Sequence, residues 1–237
     1  MATSNVINRV VPKATPRKKA AWRGVSHQFA AVAAAAAGFL LTLDAPPGKA
    51  QIGCLIYTVS LTLMFTVSAT YHVPTWGIKG RNIMRKLDHV GIYCIIAGTY
   101  TPLCLLALDE VTGRRLLLQV WTGAAAGIAH SFMSRGGAGS KAMSALLYVA
   151  LGWIVLPYAR QLKVVLGPGA TYMVVAGGVI YSLGAVIYAA KWPDPSPEVF
   201  GYHELFHAAV IVASALHFGA VKSVVSGAKD ALCAAEN

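Results

Sequence analysis

Hydrophobic positions in this chain run in long unbroken blocks. They show neither the 3.6-residue stripe of a surface helix nor the alternation of a half-buried strand. Windows free of Lys, Arg, Asp and Glu are Gly24–Leu43, Ala50–Ile78, His89–Leu108, Leu116–Ser134, Ala142–Ala159 and Val164–Ala190, and a seventh, Tyr202–Val221, is interrupted only by Glu204. A membrane-crossing helix needs about 20 apolar residues, with a range of about 17–25. In the second window roughly Gln51–Tyr71 would span, and in the sixth the crossing is expected after Gly167-Pro168-Gly169. An open sheet cannot satisfy its backbone in lipid, so the pattern predicts seven transmembrane α-helices. The connections are short: Asp44–Ala50, Pro74–Leu87, Asp109–Arg115, Arg135–Lys141, a loop near Arg160–Gly169, and the Pro-rich Lys191–Gly201. None could hold a separate domain. The expected organisation is a basic tail (1–23), a membrane domain (24–221) and a short C-terminal tail (222–237).

Composition narrows the class further. Charged residues are 12% of the 237, against about 25% in soluble domains. A soluble enzyme is excluded, as are disordered and collagen-like chains. Four cysteines are too few for a disulfide framework. Cys54, Cys94 and Cys104 fall inside apolar runs, where packing is their expected role.

The net charge of +11 sets an orientation. With the N-terminus inside, 13 Lys and Arg lie on the inner segments and 7 on the outer ones. That bias predicts a cytoplasmic N-terminus and an external C-terminus. The acid-free tail reads first as a topology determinant touching anionic lipid, and second as an organelle transit peptide. The expected location is the plasma membrane, with an organelle membrane as the alternative. Nucleic-acid binding is discounted, because no folded basic domain accompanies the tail.

Ionisable groups inside a span are costly and usually functional. His72 ends span two, and Ser68 lies one turn before it on the same face. Asp88 precedes the apolar run of span three, where a helix cap would sit. His203 and His207, at i and i+4 in His203-Glu204-Leu205-Phe206-His207, stack on one face and can grip one metal ion. In the predicted topology span two ends inside, and spans three and seven start inside, so His72, Asp88, His203 and His207 share one depth. Nothing in the charge count required this. Three neutral imidazoles plus one water make an open tetrahedral zinc site of the catalytic kind. Asp88 would serve as general base and Ser68 as hydrogen-bond donor. Glu204 points about 100° away from its neighbouring ligand and is left out of the ligand set. His27, His89, His130 and His217 read as satisfied interfacial residues, and Pro102 as a packing kink in span three. Trp22, Trp76, Trp121, Trp153 and Trp192 mostly fall near predicted span ends, as interface anchors do.

At Ser68-Ala-Thr-Tyr-His72, Leu87-Asp88-His89-Val-Gly-Ile92, Ala97-Gly-Thr-Tyr-Thr-Pro102 and His203-Glu-Leu-Phe-His207 the chain resembles the hemolysin III branch of the progestin and adipoQ receptor family. That family is kin to the adiponectin receptors and alkaline ceramidases. The resemblance covers about residues 22–221 and implies seven helices with a cytoplasmic N-terminus. It also implies zinc held by His72, His203 and His207, with Asp88 at the water and Ser68 beside it. The long N-terminal domain of the adiponectin receptors has no counterpart, which puts hormone reception by that route in doubt. The leading expectation is a zinc-dependent membrane hydrolase of a ceramide-like lipid amide. A receptor or signalling protein with structural zinc ranks second. A pore-forming cytolysin ranks last, since the spans carry neither a polar-lined helix nor charge rings.

Overall fold

The computed structural model describes residues 19–134 and 138–236. Most of the basic tail (1–18) and Arg135 therefore lie outside the described residues. Seven α-helices follow in order: α1 (Val25–Asp44), α2 (Lys49–His72), α3 (Ile78–Leu106), α4 (Glu110–Met133), α5 (Ala138–Gly152), α6 (Ala159–Ala190) and α7 (Tyr202–Glu236), with a 3-10 turn at Leu156–Tyr158 before α6. No β-strand occurs among the described residues. Among the described residues six stretches are long and apolar enough to cross a membrane, and the fifth of them, Met143–Ala190, runs 48 residues.

Several boundaries differ from those expected. α3 begins at Ile78, well before its charge-free window, so most of the expected Pro74–Leu87 connection is helical. Lys79, Arg81, Arg85 and Lys86 do not end the helix, because long basic side chains can lie along it with their charges in water. The expected loop near Arg160–Gly169 is also largely helical. The break is confined to Gly167, at φ 70° and ψ 175°, inside α6. Only glycine adopts that conformation without strain, and Pro168 then suits the first turn of the resumed helix. The C-terminal tail is helical too, with α7 continuing to Glu236. Asp109 caps α4, its carboxylate accepting the Thr112 N–H at 3.0 Å.

The helices pack through small residues, as expected where lipid supplies no hydrophobic drive between them. Gly98 of α3 faces the Ser60 side chain of α2, and Gly127 of α4 faces the Tyr93 ring of α3. α2 lies between α1 and α3, while α7 packs on α6, α3, α1 and α2. One core joins Tyr57, Met64 and Phe65 of α2 to Val210, Val221 and Val225 of α7. A second joins Tyr93 and Tyr100 of α3 to Leu116 and Val120 of α4. The start of α1, the end of α2 and the start of α7 meet at one end of the bundle.

Candidate metal centre

Ser68 and His72 occupy the last turn of α2, and both are buried. His203 and His207 occupy the first two turns of α7 and are also buried. Their one-turn spacing puts the two rings on one face of the helix, edge to face, with centroids 4.7 Å apart and planes 60° from parallel. The His72 ring stands 4.6 Å from that of His203 and 5.0 Å from that of His207. One nitrogen from each of the three lies within 4.8 Å of the other two. His203 Nε2 is 3.3 Å from His72 Nε2, and His207 Nδ1 is buried without a hydrogen-bond partner.

Asp88 comes in from α3, with Oδ2 3.8 Å from His72 Nε2. It lies nearly three turns inside that helix, not at the cap position that the start of the apolar run suggested. Ser68 lines the same cavity end as this carboxylate, on the α2 face that carries His72. All five residues singled out in the sequence thus come together. Two nitrogens on a zinc ion, each at about 2.0–2.1 Å in tetrahedral geometry, stand about 3.3–3.4 Å apart. The spacing of His72 and His203 fits that edge. The donor set is all-imidazole, which suits zinc as it suits copper, iron and nickel.

The structure adds residues that the sequence reading passed over. His27, expected at an interface, is 2% exposed and lies face to face with His207, ring centroids 3.9 Å apart and planes 9° from parallel. A metal in the plane of the His207 ring would sit nearly 4 Å off the plane of His27, too far for a ligand bond. His27 therefore braces a ligand rather than adding one. Span one starts at the same end of the bundle as the site, and that was the available signal. Glu204, 2% exposed, is ion-paired to Arg23. Its other oxygen accepts the Gly201 N–H at 2.8 Å, so it faces away from the ligand nitrogens. Beside Arg23, burial together with the Arg23 and Arg81 charges lowers the Lys19 ammonium from its ordinary pKa.

A cavity of about 170 Å³ opens from the cluster. Ser68, His72, Asp88, His203 and His207 line one end of it, and Ile92, Ile95, Tyr148, Trp153, Tyr181 and Val210 line much of the rest. Trp153 is thus a wall residue, not an interface anchor, and its indole N–H donates to Ser182 Oγ at 3.0 Å. His217 lines the cavity as well, with Nε2 3.2 Å from the Val174 carbonyl. A second cavity of about 80 Å³ shares Thr99, Tyr100, Trp153 and His217 with the first and continues towards Leu162 and Leu166.

The family model described as "Haemolysin-III related" matches residues 17–218. The chain belongs to the haemolysin-III-related family. The match takes in every residue of the cluster and six of the seven helices in full. This is the hemolysin III branch of the progestin and adipoQ receptor family, and the chain is a multi-pass integral membrane protein. It is 30% identical over 184 residues to the hemolysin-3 homolog of Bacillus subtilis, covering 76% of this chain and 81% of that one. Hemolysin-3 of Bacillus cereus is 30% identical over 200 residues, covering 82% and 86%. The human monocyte to macrophage differentiation factor is 24% identical over 203 residues, covering 83% and 80%. In this hemolysin-III-related chain the cluster sits where α1, α2, α3 and α7 meet.

Proposed function

We propose that this protein is a zinc-dependent integral-membrane hydrolase of a ceramide-like lipid amide. The observation that carries the reading is the convergence of three buried imidazoles and one carboxylate at the end of a largely apolar cavity. Zinc held by His72, His203 and His207 would act as a Lewis acid and make water acidic near neutral pH. Asp88 would take the proton from the attacking water at Oδ2. Ser68, lining the same end of the cavity, would donate to that carboxylate and keep it aimed at the cluster. In the overall reaction the amide C–N bond breaks, a hydroxyl joins the carbonyl carbon and a proton joins the nitrogen. The aliphatic and aromatic walls would hold an acyl chain and exclude bulk water.

The accompanying topology is seven spans with the N-terminus and the site near the cytoplasm, in the plasma membrane. A continuous 48-residue helix would be about 72 Å long, more than twice the roughly 30 Å core of a bilayer. The break at Gly167 and the contact of α5 with α6 favour two crossings there. A relative from Oryza sativa, 27% identical over 181 residues, bears the name heptahelical transmembrane protein. The 13-to-7 charge bias supports the orientation.

The test is release of free fatty acid from a panel of lipid amides by purified, zinc-loaded protein in lipid. Asp88→Asn should keep its zinc while hydrolysis falls by about 10²–10⁴, the usual loss with a general base. Background rates for wild type across the panel, with zinc retained, would replace this reading by a receptor-like protein whose zinc is structural. The burial of all three imidazoles is the observation that favours that second reading.

A further inference from the structure

Lys19–Gly24, ahead of α1, is bonded on both sides of the cluster. Ala21 N–H donates to the Glu198 carbonyl at 2.9 Å and Trp22 N–H to the Val199 carbonyl at 3.2 Å, both in the connection before α7. Lys19 Nζ donates to the Val73 carbonyl at 2.9 Å, one residue past His72. Gly24, at φ 79°, lies so close to His72 that an added Cβ would stand 2.5 Å from the His72 Cβ. Arg23 Nε donates to Glu204 Oε1, and Glu204 Oε2 holds the Gly201 N–H. The segment therefore touches the end of α2 and the start of α7, the two places that supply the three imidazoles.

We infer that Lys19–Gly24 is a strap that sets the spacing of the metal ligands, with Arg23 and Glu204 as its positioning residues. The inference rests on reading the three histidines as a metal site. His72 and His203 are 131 residues apart in the chain, so no short loop fixes their separation. A slide or turn of α7 by a fraction of a residue would carry His203 and His207 away from His72. A guanidinium bonded to a buried carboxylate resists that motion, because the pair is directional and leaving the carboxylate alone is costly. Glu204 sits between the two histidines of α7, so whatever holds its carboxylate holds the helical turn that presents both rings. Both of its oxygens are engaged, which gives it a holding role and not that of a base towards substrate.

The experiment measures zinc affinity of the full chain in lipid by competition with a chelator. It compares wild type with Arg23→Gln, Glu204→Gln, the double variant Arg23→Gln/Glu204→Gln and the exchange Arg23→Glu/Glu204→Arg. Each single variant should bind zinc about 10–100-fold more weakly, the usual loss when a group behind the ligands is removed. The exchange should recover the larger part of that loss. The visible spectrum of the cobalt-substituted protein should broaden in the single variants and sharpen again in the exchange, a response that a general loss of stability would not give. Wild type holding no zinc would sink the metal reading itself. Wild-type affinity in both single variants, or in the double variant where the singles fail to fold, would overturn the strap and leave the metal site standing. An exchange that folds but binds no better than the double variant would overturn it equally.

Discussion

His27 and His207 lie face to face in the interior, while His72 and His203 meet His207 edge-on. The orientation decides which imidazole can share a metal. Replacing His72, His203 or His207 by Ala should abolish stoichiometric zinc, as metal analysis of purified protein would show. His130→Ala should retain it, because His130 lies near the end of α4 and does not line the cavity. His27→Phe keeps a flat ring against His207 and should also keep zinc, whereas His27→Ala should weaken it by about 10–100-fold. Gly24 makes a second test at this scale. Its φ of 79° and its closeness to His72 leave no room for a side chain. Gly24→Ala should destabilise the fold by at least about 1–2 kcal/mol from backbone strain alone, seen as a lower Tm in lipid or detergent.

Among the helices, small residues set how closely neighbours approach. An added Cβ at Gly127 would run into the Tyr93 ring, which is fully buried. Gly127→Ala must therefore push α4 away from α3, and overpacking of this kind typically costs about 1–3 kcal/mol. Thermal unfolding should show the loss, while zinc affinity should change little, because α4 supplies none of the three imidazoles. Normal stability in Gly127→Ala would mean that the two helices are free to separate. The early start of α3 belongs to this scale as well. Its basic first turns form a helical platform that leads to Asp88, so the carboxylate hangs from the middle of a helix and not from a frayed end.

Across the whole molecule the cluster ties α2 to α7, two helices far apart in sequence. A ligand that binds only the folded arrangement stabilises it by about 2.7 kcal/mol at 100 times its Kd. Removing zinc with a chelator should therefore lower Tm in wild type and leave the His72→Ala variant unmoved. Orientation is tested by tags at both termini, read in intact and permeabilised cells. The charge bias predicts the N-terminal tag inside and the C-terminal tag outside. Both tags on one side would require an even number of crossings and remove the topological basis for a site at one depth.

Much of the site was legible along the chain, and the reason is the cost of polar groups in apolar surroundings. A His or Asp beside a 20-residue apolar run stands out because burial there must be compensated. Alternating span direction then put His72, Asp88, His203 and His207 at one level before any packing was known. Helical class and membrane insertion followed from the lengths of the charge-free windows. Helix boundaries did not, because charge marks where lipid ends and not where the hydrogen-bond ladder ends; α3 and α7 both run past their windows. Tertiary structure alone turned His27 towards His207, since the rotation of α1 against α7 depends on the packing of several helices together. It also joined Arg23 to Glu204 across 181 residues. In the sequence Arg23 is one basic residue among six in the N-terminal 23, and Glu204 is a lone acid in an apolar run. Their pairing depends on where the chain enters α1 relative to α7, and that position is set by the assembled bundle, which no local pattern encodes.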